Sequence, residues 1–139
     1  MAYSKQAQRL QRRIEAIPAQ IRREVQPALV RNAQRIADTM KQLAPVDEGD
    51  LRDSIAVTKP GDTTPAYSQP GGSRIAGELE AIVTAGNSDV RYAHLQEYGT
   101  SEHDAQPFFW PGFRLERPKA LRSIKSTISR VIKKWGRAS

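Results

Sequence analysis

The sequence predicts an α+β fold: a small, mostly antiparallel sheet packed against a long N-terminal helix and a C-terminal helix, with a long hairpin loop. Three observations predict this fold class. Apolar residues recur at three- and four-residue steps near both ends of the chain, which is typical of amphipathic helices. Two central segments alternate apolar and polar side chains, as strands do, and a stretch rich in proline and glycine separates them.

The N-terminal region carries the apolar stripe of an amphipathic helix, interrupted at Pro18 and Pro27. Proline removes a backbone donor and crowds the preceding turn, so we expect a kink or a break near one of them. The sequence therefore predicts two helices in series, the long one running from about Pro27 to Leu43. The stripe comprises Leu10, Ile14, Ile17, Ile21, Val25, Leu29, Ile36, Met40 and Leu43.

A connector follows this helix, with the sequence LAPVDEGDLRDSI. Pro45 ends the helix by restricting the residue before it, Gly49 belongs to a turn, and Leu51 leads towards the first strand. Its acidic groups lack the ligand spacing of an EF-hand loop, so we expect a solvated acidic surface and no calcium site. These acidic residues are Asp47, Glu48, Asp50 and Asp53.

Two strands are predicted, at Ser54–Lys59 and Glu78–Ala85. Between them lies a segment of three prolines and four glycines, which we call the tongue (Pro60–Gly77). Because the tongue has no apolar pattern, we expect it to be mobile or to become ordered on a partner. The residues predicted for such a contact are Pro60, Gly61, Pro65, Tyr67, Pro70, Gly71 and Gly72.

The aromatic residues concentrate in a segment that we call the clasp (Tyr92–Phe113). It holds both histidines and all three phenylalanines, so it is either a structural element or a working site. The structural interpretation predicts a short helix ended by Gly99 in a left-handed conformation, with one side buried. That side comprises Tyr92, Ala93, Leu95 and Tyr98.

After the short helix, an extended segment at Pro107 is predicted to direct three aromatic side chains into the core. Pro111 then begins the last helix. The inserted side chains are Phe108, Phe109 and Trp110.

A catalytic interpretation of the clasp would use His94, Glu97, His103 and Asp104. His94 and Glu97 fall on neighbouring positions of one helix face, but no second histidine follows at the i+4 spacing of zinc-binding helices. The chain also has no cysteine, no serine in a nucleophile elbow and no glycine-rich loop before a helix. We therefore expect no enzyme, no metal and no cofactor, and an enzyme using His94 and Glu97 is the weakest alternative.

The C-terminal helix is predicted from an apolar stripe between Pro118, which suits a first helical turn, and Gly136, which suits a stop. The stripe comprises Leu121, Ile124, Ile128, Val131, Ile132 and Trp135. The chain then reads as a single domain, 1–139, made of a helical part (1–44), a hairpin sheet (45–90), a short helix with aromatic residues (91–112) and the C-terminal helix (113–136).

Composition narrows the class of protein. With 38% hydrophobic residues and a mean hydropathy of −0.62, we expect a soluble protein without a membrane span. The N-terminus lacks the apolar core of a signal peptide, so no secretion is expected. The absence of cysteine excludes disulfides and thiolate metal sites, and fits a protein made in a reducing cytosol.

Charge is distributed in three blocks along the chain. Residues 1–44 carry nine basic and three acidic side chains, residues 45–109 four and eleven, and residues 110–139 nine and one, or +6, −7 and +8. Three interpretations remain open. The basic ends contact nucleic acid, the acidic block of one copy faces a basic helix of the next, or these are solvated helix faces around an acidic centre.

Two elements of the sequence resemble a known family. APVDEGDLRDSI resembles the pattern aPvdtGxLrxSI, and YAHLQEYGT followed by AQPFFWPGFRLERPKAL resembles YAxxvEyGTxxxxaqPFlrPAf with a helix after it. In this order, behind an N-terminal helix, they are similar to the gp-ten-like tail-component family of long-tailed bacteriophages and prophages, over residues 25–135. Glu48 stands where threonine is usual, and Trp110-Pro111-Gly112 replaces Arg-Pro-Ala.

The resemblance implies a non-enzymatic virion protein of the neck, a tail-completion or head–tail joining subunit assembled in the host cytoplasm. It also implies a cyclic homo-oligomer, expected to be a hexamer, that contacts adjacent neck and tail-tube proteins. The alternative function is a basic nucleic-acid-binding protein, and a weaker one is a tail-terminator or head-completion stopper role in the same region.

Specific residues follow from these expectations. Lumen-facing cations would touch packaged DNA through phosphate charge alone. The candidate residues for DNA or partner contact are Arg122, Lys125, Lys133 and Lys134. The candidate structural and assembly residues are Pro45, Gly49, Leu51, Tyr92, Tyr98, Gly99, Pro107, Phe108 and Pro111.

Overall fold

The computed structural model describes residues 5–45, 49–90, 93–101 and 104–138. It contains two long helices and a two-stranded antiparallel sheet, which confirms the predicted α+β class. In the sheet Val57 lies opposite Val83. The elements are α1 (Lys5–Glu15), α2 (Ala19–Leu43), α3 (Gly49–Asp53), β1 (Ala56–Thr58), β2 (Ile82–Thr84), α4 (Ala93–Tyr98) and α5 (Phe109–Ala138).

Helix α2 lies at the centre of the fold, where it contacts α5 and both strands. One core therefore joins the helices, the sheet and the start of α5, and its most buried large side chains include Met40, Leu51 and Phe108. Of the predicted apolar stripe, Val25, Ile36 and Met40 are buried in α2, whereas Leu43 is 41% exposed, and small or polar residues complete the buried face. The buried residues of α2 are Val25, Ala28, Asn32, Ala33, Ile36, Ala37 and Met40.

The predicted break in the N-terminal region occurs at Pro18, whose extended backbone (φ −54°, ψ 141°) separates α1 from α2. The prediction that the long helix begins near Pro27 is wrong, because α2 begins at Ala19 and Pro27 lies inside it. Pro27 is exposed, so water can reach the Arg23 carbonyl that its missing N–H leaves unpaired. The break follows from the backbone at Pro18, which the stripe alone does not reveal.

Helix α5 also begins earlier than predicted. It begins at Phe109, so Pro118 lies inside the helix and Pro111, not Pro118, occupies the first turn. Gly136 does not end it, since the helix continues to Ala138. The exposed position of Pro118 again allows water to solvate the carbonyl that it leaves unpaired.

Both strands are shorter than predicted, because turns occupy their ends. Ser54 still belongs to the turn after α3, where its N–H donates to the Asp50 carbonyl at 3.0 Å. The carbonyl of Lys59 accepts from the N–H of Asp62 at 3.0 Å, which turns the chain into the tongue. In the second segment, the Glu80 side chain accepts from the N–H of Gly77 at 3.0 Å and stabilises a turn before β2.

The tongue forms a hairpin-like structure held by backbone hydrogen bonds. Thr63 pairs with Ile75 in an antiparallel bridge, and the N–H of Thr64 donates to the Arg74 carbonyl at 2.8 Å. The Thr64 hydroxyl also accepts from the N–H of Arg74 at 2.8 Å and donates to the Gly72 carbonyl at 2.7 Å. Its ordering on a partner stays a prediction.

Candidate functional site

The start of α5 is held by the carboxylate of Glu97, at the end of α4. One oxygen accepts from the backbone N–H groups of Phe108 at 3.0 Å and Phe109 at 2.8 Å, and the other accepts from Trp110 at 3.3 Å. The first N–H groups of a helix have no intrahelical acceptor, and a negative charge there is favoured by the helix dipole. Glu97 is buried, with 8% of its surface exposed, so its carboxylate is a shielded cap for α5.

Every backbone N–H group in the first turn of α5 has a hydrogen-bond acceptor. Four positions at a helix start have no intrahelical acceptor, here residues 108 to 111. The fourth is Pro111, which has no N–H and therefore needs no acceptor. The next N–H, that of Gly112, donates to the Phe108 carbonyl at 3.1 Å. One acidic side chain and one proline therefore complete the hydrogen bonding of this buried helix start.

This arrangement gives Glu97, a residue of the catalytic interpretation, a structural role. Both carboxylate oxygens of Glu97 accept hydrogen bonds from backbone N–H groups, so the side chain positions the start of α5. The side chain of His94, together with His103, lies outside the described residues, and Asp104 is exposed. Within the described ranges no group of three or more histidine, aspartate or glutamate side chains could hold a metal ion.

The aromatic residues of the clasp pack as predicted at Phe108 and Phe109, which are 1% and 7% exposed. Phe109 and Trp110 meet edge to face at 5.0 Å, and Trp110 meets Phe113 in the same way at 6.1 Å. The prediction that Tyr98 is buried is wrong, because it is 69% exposed. Its hydroxyl instead accepts a hydrogen bond from the Trp110 indole N–H at 2.9 Å, which links α4 to α5 at the surface.

Helix α5 crosses α2 closely at Gly112. A Cβ added at Gly112 would lie 2.7 Å from Cγ of Met40 and 3.1 Å from its backbone N and Cα. Glycine is therefore required for this approach, because a side chain here would push the two helices apart.

The connector after α2 is tied to the end of β2 through Ser54. Its buried hydroxyl donates to the Leu51 carbonyl at 2.6 Å and accepts from the N–H of Gly86 at 2.9 Å. Gly86 has φ +92°, and an added Cβ would lie 2.8 Å from the carbonyl oxygen of Val90. The GDLRDS part of the first family-like element is thus structural, since it fixes the sheet to α3.

Polar contacts join the outer parts of the fold to α2. Glu24 accepts from Lys134 Nζ at 2.6 Å and from the Trp135 indole N–H at 2.8 Å, and these bonds lower the pKa of Glu24 below its ordinary value. Arg22 pairs at 2.8 Å with Glu78, which directly follows the tongue. The C-terminal part of α5 and the base of the tongue are therefore both attached to the start of α2.

Arg74 and Glu80 close the base of the tongue through two hydrogen bonds of 3.0 and 3.1 Å. Partial burial tends to raise the pKa of Glu80, but the bonds from Arg74 and from the Gly77 N–H outweigh it and lower the pKa. This pair neutralises the charge of Arg74, so Asp62 carries the remaining charge of the tongue.

The outer face of α5 is basic. Arg122, Lys125 and Lys133 are exposed, and within the described part of the chain they form no salt bridge. Lys134 differs, because it pairs with Glu24. The single acidic residue of the helix, Glu116, is half-buried and accepts from the Thr39 hydroxyl at 2.9 Å.

An apolar groove of about 320 Å³ lies beside α5, near the α1–α2 junction; we call it the isoleucine groove. Ile132 is 52% exposed there, so a large aliphatic surface remains in water. Arg13 lies at its edge. The aliphatic lining consists of Ile17, Ile21, Val25, Leu79, Ile128 and Ile132.

The remaining sequence-predicted residues have structural positions but untested roles. Leu51 is fully buried, Pro45 follows α2, Gly49 begins α3 and Gly99 ends α4 with φ +77°. Tyr92 lies outside the described residues, and Pro107 is exposed.

In the tongue, the backbone has positive φ at four of the predicted contact residues, Gly61, Tyr67, Gly71 and Gly72. Pro60 and Pro65 are half-buried, whereas Pro70 is exposed and lines a cavity of about 70 Å³ beside Glu97 and Tyr98. Their contribution to assembly stays a prediction.

Across the described residues, no helix is both long and apolar enough to cross a bilayer. No match to this chain is found among curated proteins or among solved structures. Residues 8–99 match the family described as "Bacteriophage HK97-gp10, putative tail-component", a range that begins within α1, ends just after α4 and includes Glu97. This is the resemblance that the connector and clasp motifs predicted, and the chain therefore belongs to the HK97-gp10-like family of bacteriophage tail components.

Proposed function

We propose that this protein is a structural subunit of the phage neck, a tail-completion or head–tail joining protein that forms a ring around the DNA channel. The observation that carries the proposal is family membership over residues 8–99, which assigns the chain to phage tail components. The role is structural and not catalytic. Its partners are further copies of itself, six by analogy with tail tubes, and the adjacent neck and tail-tube proteins.

The molecule's surface supports ring assembly. The outer face of α5 is basic, whereas Asp50, Asp53, Asp89 and Asp104, in the central acidic block, are exposed. A subunit with unlike charges on different faces can meet one neighbour through each face, as head-to-tail contacts in a ring require. The capped start of α5 and its packing on α2 keep these faces in a fixed relation.

The test is removal of the gene from the phage or prophage that encodes it. We expect DNA-filled heads and completed tails to accumulate separately in negative-stain images, and the wild-type gene in trans to restore joined particles. Particles that assemble normally without the protein would refute a neck role. Tails of abnormal length would instead indicate a terminator, and emptied heads a stopper.

A second candidate, binding to nucleic acid, is favoured by Arg122, Lys125 and Lys133 on α5, which are exposed and form no salt bridge with any residue that the structure describes. A DNA-binding protein should hold free duplex with an affinity that falls linearly with salt on logarithmic axes. Replacing Arg122 and Lys125 with glutamate should then weaken binding and reduce the slope. The matched control reverses Arg31 and Arg35, which are exposed on α2 and change the net charge equally.

A further inference from the structure

We propose that neighbouring subunits join by inserting Ile75 of one tongue into the isoleucine groove of the next copy. This inference rests on the proposed ring and names the surfaces that form it. Ile75 is 70% exposed, the largest exposed fraction among the large hydrophobic side chains of the described residues. Its backbone pairs with Thr63 in an antiparallel β-bridge, so Ile75 lies on a hydrogen-bonded part of the tongue.

The backbone around Ile75 is fixed on both sides. The N–H of Ala76 donates to the Asp62 carbonyl at 2.8 Å, and the N–H of Gly61 donates to the Ala76 carbonyl at 2.9 Å. Thr64 closes the other side through its bonds with Arg74. An ordered backbone that holds an aliphatic side chain in water has already lost the freedom that binding would otherwise remove, so docking costs less ordering entropy.

The isoleucine groove provides the complementary surface. It offers aliphatic side chains from α2, α5 and the α1–α2 junction, and it is open to solvent beside the half-exposed Ile132. Ile75 does not line it, so plug and groove are separate surfaces of one subunit. Contact between unlike surfaces is head-to-tail, which generates a ring when the rotation closes.

Charge favours a second copy as the occupant. The charged residues that line the groove, Arg13 and Arg22, are both basic, whereas the tongue carries Asp62 as its free charge, because Arg74 pairs with Glu80. Arg13 in the groove lining and Asp62, which precedes the Thr63 that pairs with Ile75, have no ionic partner among the residues that the structure describes. One chain therefore supplies both halves of an interface matched in apolarity and in charge.

Cysteine cross-linking tests the contact, because the natural chain has no cysteine. Ile75→Cys and Ile132→Cys both alter exposed side chains, so both variants should fold. We expect oxidation of an equal mixture of the two proteins to give a covalent dimer, since a disulfide requires Cα atoms within about 7 Å. Each protein alone should give none. The double variant should give a ladder of covalent oligomers that ends at the ring's copy number.

A charge variant and a matched control complete the test. Ile75→Asp should weaken self-association, measured by light scattering, about tenfold or more, while Leu115→Asp, which alters an exposed leucine outside the groove, should not. Failure of the mixture to cross-link, or equal cross-linking by Ile75→Cys alone, overturns the inference. Rings that persist without the cross-link leave the neck role standing, whereas normal virions lacking the protein refute that role independently.

Discussion

Glu97 and Phe109 are joined by a 2.8 Å hydrogen bond from a backbone N–H to a buried carboxylate, and this bond fixes where the last helix begins. The same side chain receives the N–H groups of Phe108 and Trp110. The clasp is therefore built around a helix cap, with the aromatic rings packed around it.

Replacing Glu97 with alanine should destabilise the protein by about 2–4 kcal/mol, since buried N–H groups lose their acceptor and the helix loses its cap. Glu97→Gln should cost less, because one carbonyl oxygen can still accept. Urea unfolding followed by circular dichroism measures both. Asp104→Asn, at an exposed carboxylate, is the control and should stay within about 0.5 kcal/mol of wild type. Equal stability of Glu97→Ala and wild type would contradict the capping role.

Gly112→Ala should destabilise the protein by about 1–3 kcal/mol, because the new methyl group would overlap Met40 at the helix crossing. Gly136→Ala changes the same residue type in the same helix, with nothing within 4 Å of the new Cβ. It should be neutral or slightly stabilising, since alanine favours helix. Thermal melting of both variants checks this, and a neutral Gly112→Ala would show that the helices can separate at little cost.

Alanine variants of Gly86 and Gly71 would distinguish the cost of backbone strain from the cost of steric overlap. Both have φ near +90°, but a Cβ would meet the Val90 carbonyl oxygen at 2.8 Å only at Gly86 and would meet nothing within 4 Å at Gly71. Gly71→Ala should cost about 1 kcal/mol from the left-handed backbone alone, and Gly86→Ala clearly more. Equal losses in urea unfolding would mean that the turn at Val90 yields to the methyl group.

The contact of Glu24 with Lys134 and Trp135 should make stability depend on pH. Because these bonds lower the pKa of Glu24 from its ordinary 4.5, they stabilise the folded state above pH 4.5, and the effect is lost as pH falls through the lower, folded-state pKa. The melting temperature of Glu24→Gln should therefore lie below that of wild type at pH 7, and the difference should shrink towards pH 3. A difference that does not change with pH would contradict this linkage.

The sequence predicted those features that depend on side-chain pattern. The apolar stripes identify the helical ends, and left-handed Gly99 ends α4 as its position suggests. Pattern could not place the helix starts, because Pro27 and Pro118 are both tolerated on exposed helix faces. The predicted burial of Tyr98 fails because its hydroxyl bonds to the Trp110 indole at the surface.

The role of Glu97 was harder to predict because its partners are backbone groups. A carboxylate that binds N–H groups 11 to 13 residues later has no complementary side chain that could reveal the pair. The usable signal was indirect: an acidic residue before a turn, followed by a proline at the start of a helix. The groove also escaped prediction, since its walls come from segments distant in sequence.

The carboxylate of Glu97 anchors α5 through backbone groups alone. The family match ends at residue 99, just after Glu97, while the helix that this residue caps lies beyond the match. Any amino acid except proline carries the N–H that the carboxylate needs, so these hydrogen bonds do not themselves depend on the side chains of residues 108 to 110. The exposed face of α5 can therefore change without loss of this anchor, whereas Phe108, Phe109 and Gly112 are fixed by their packing in the core.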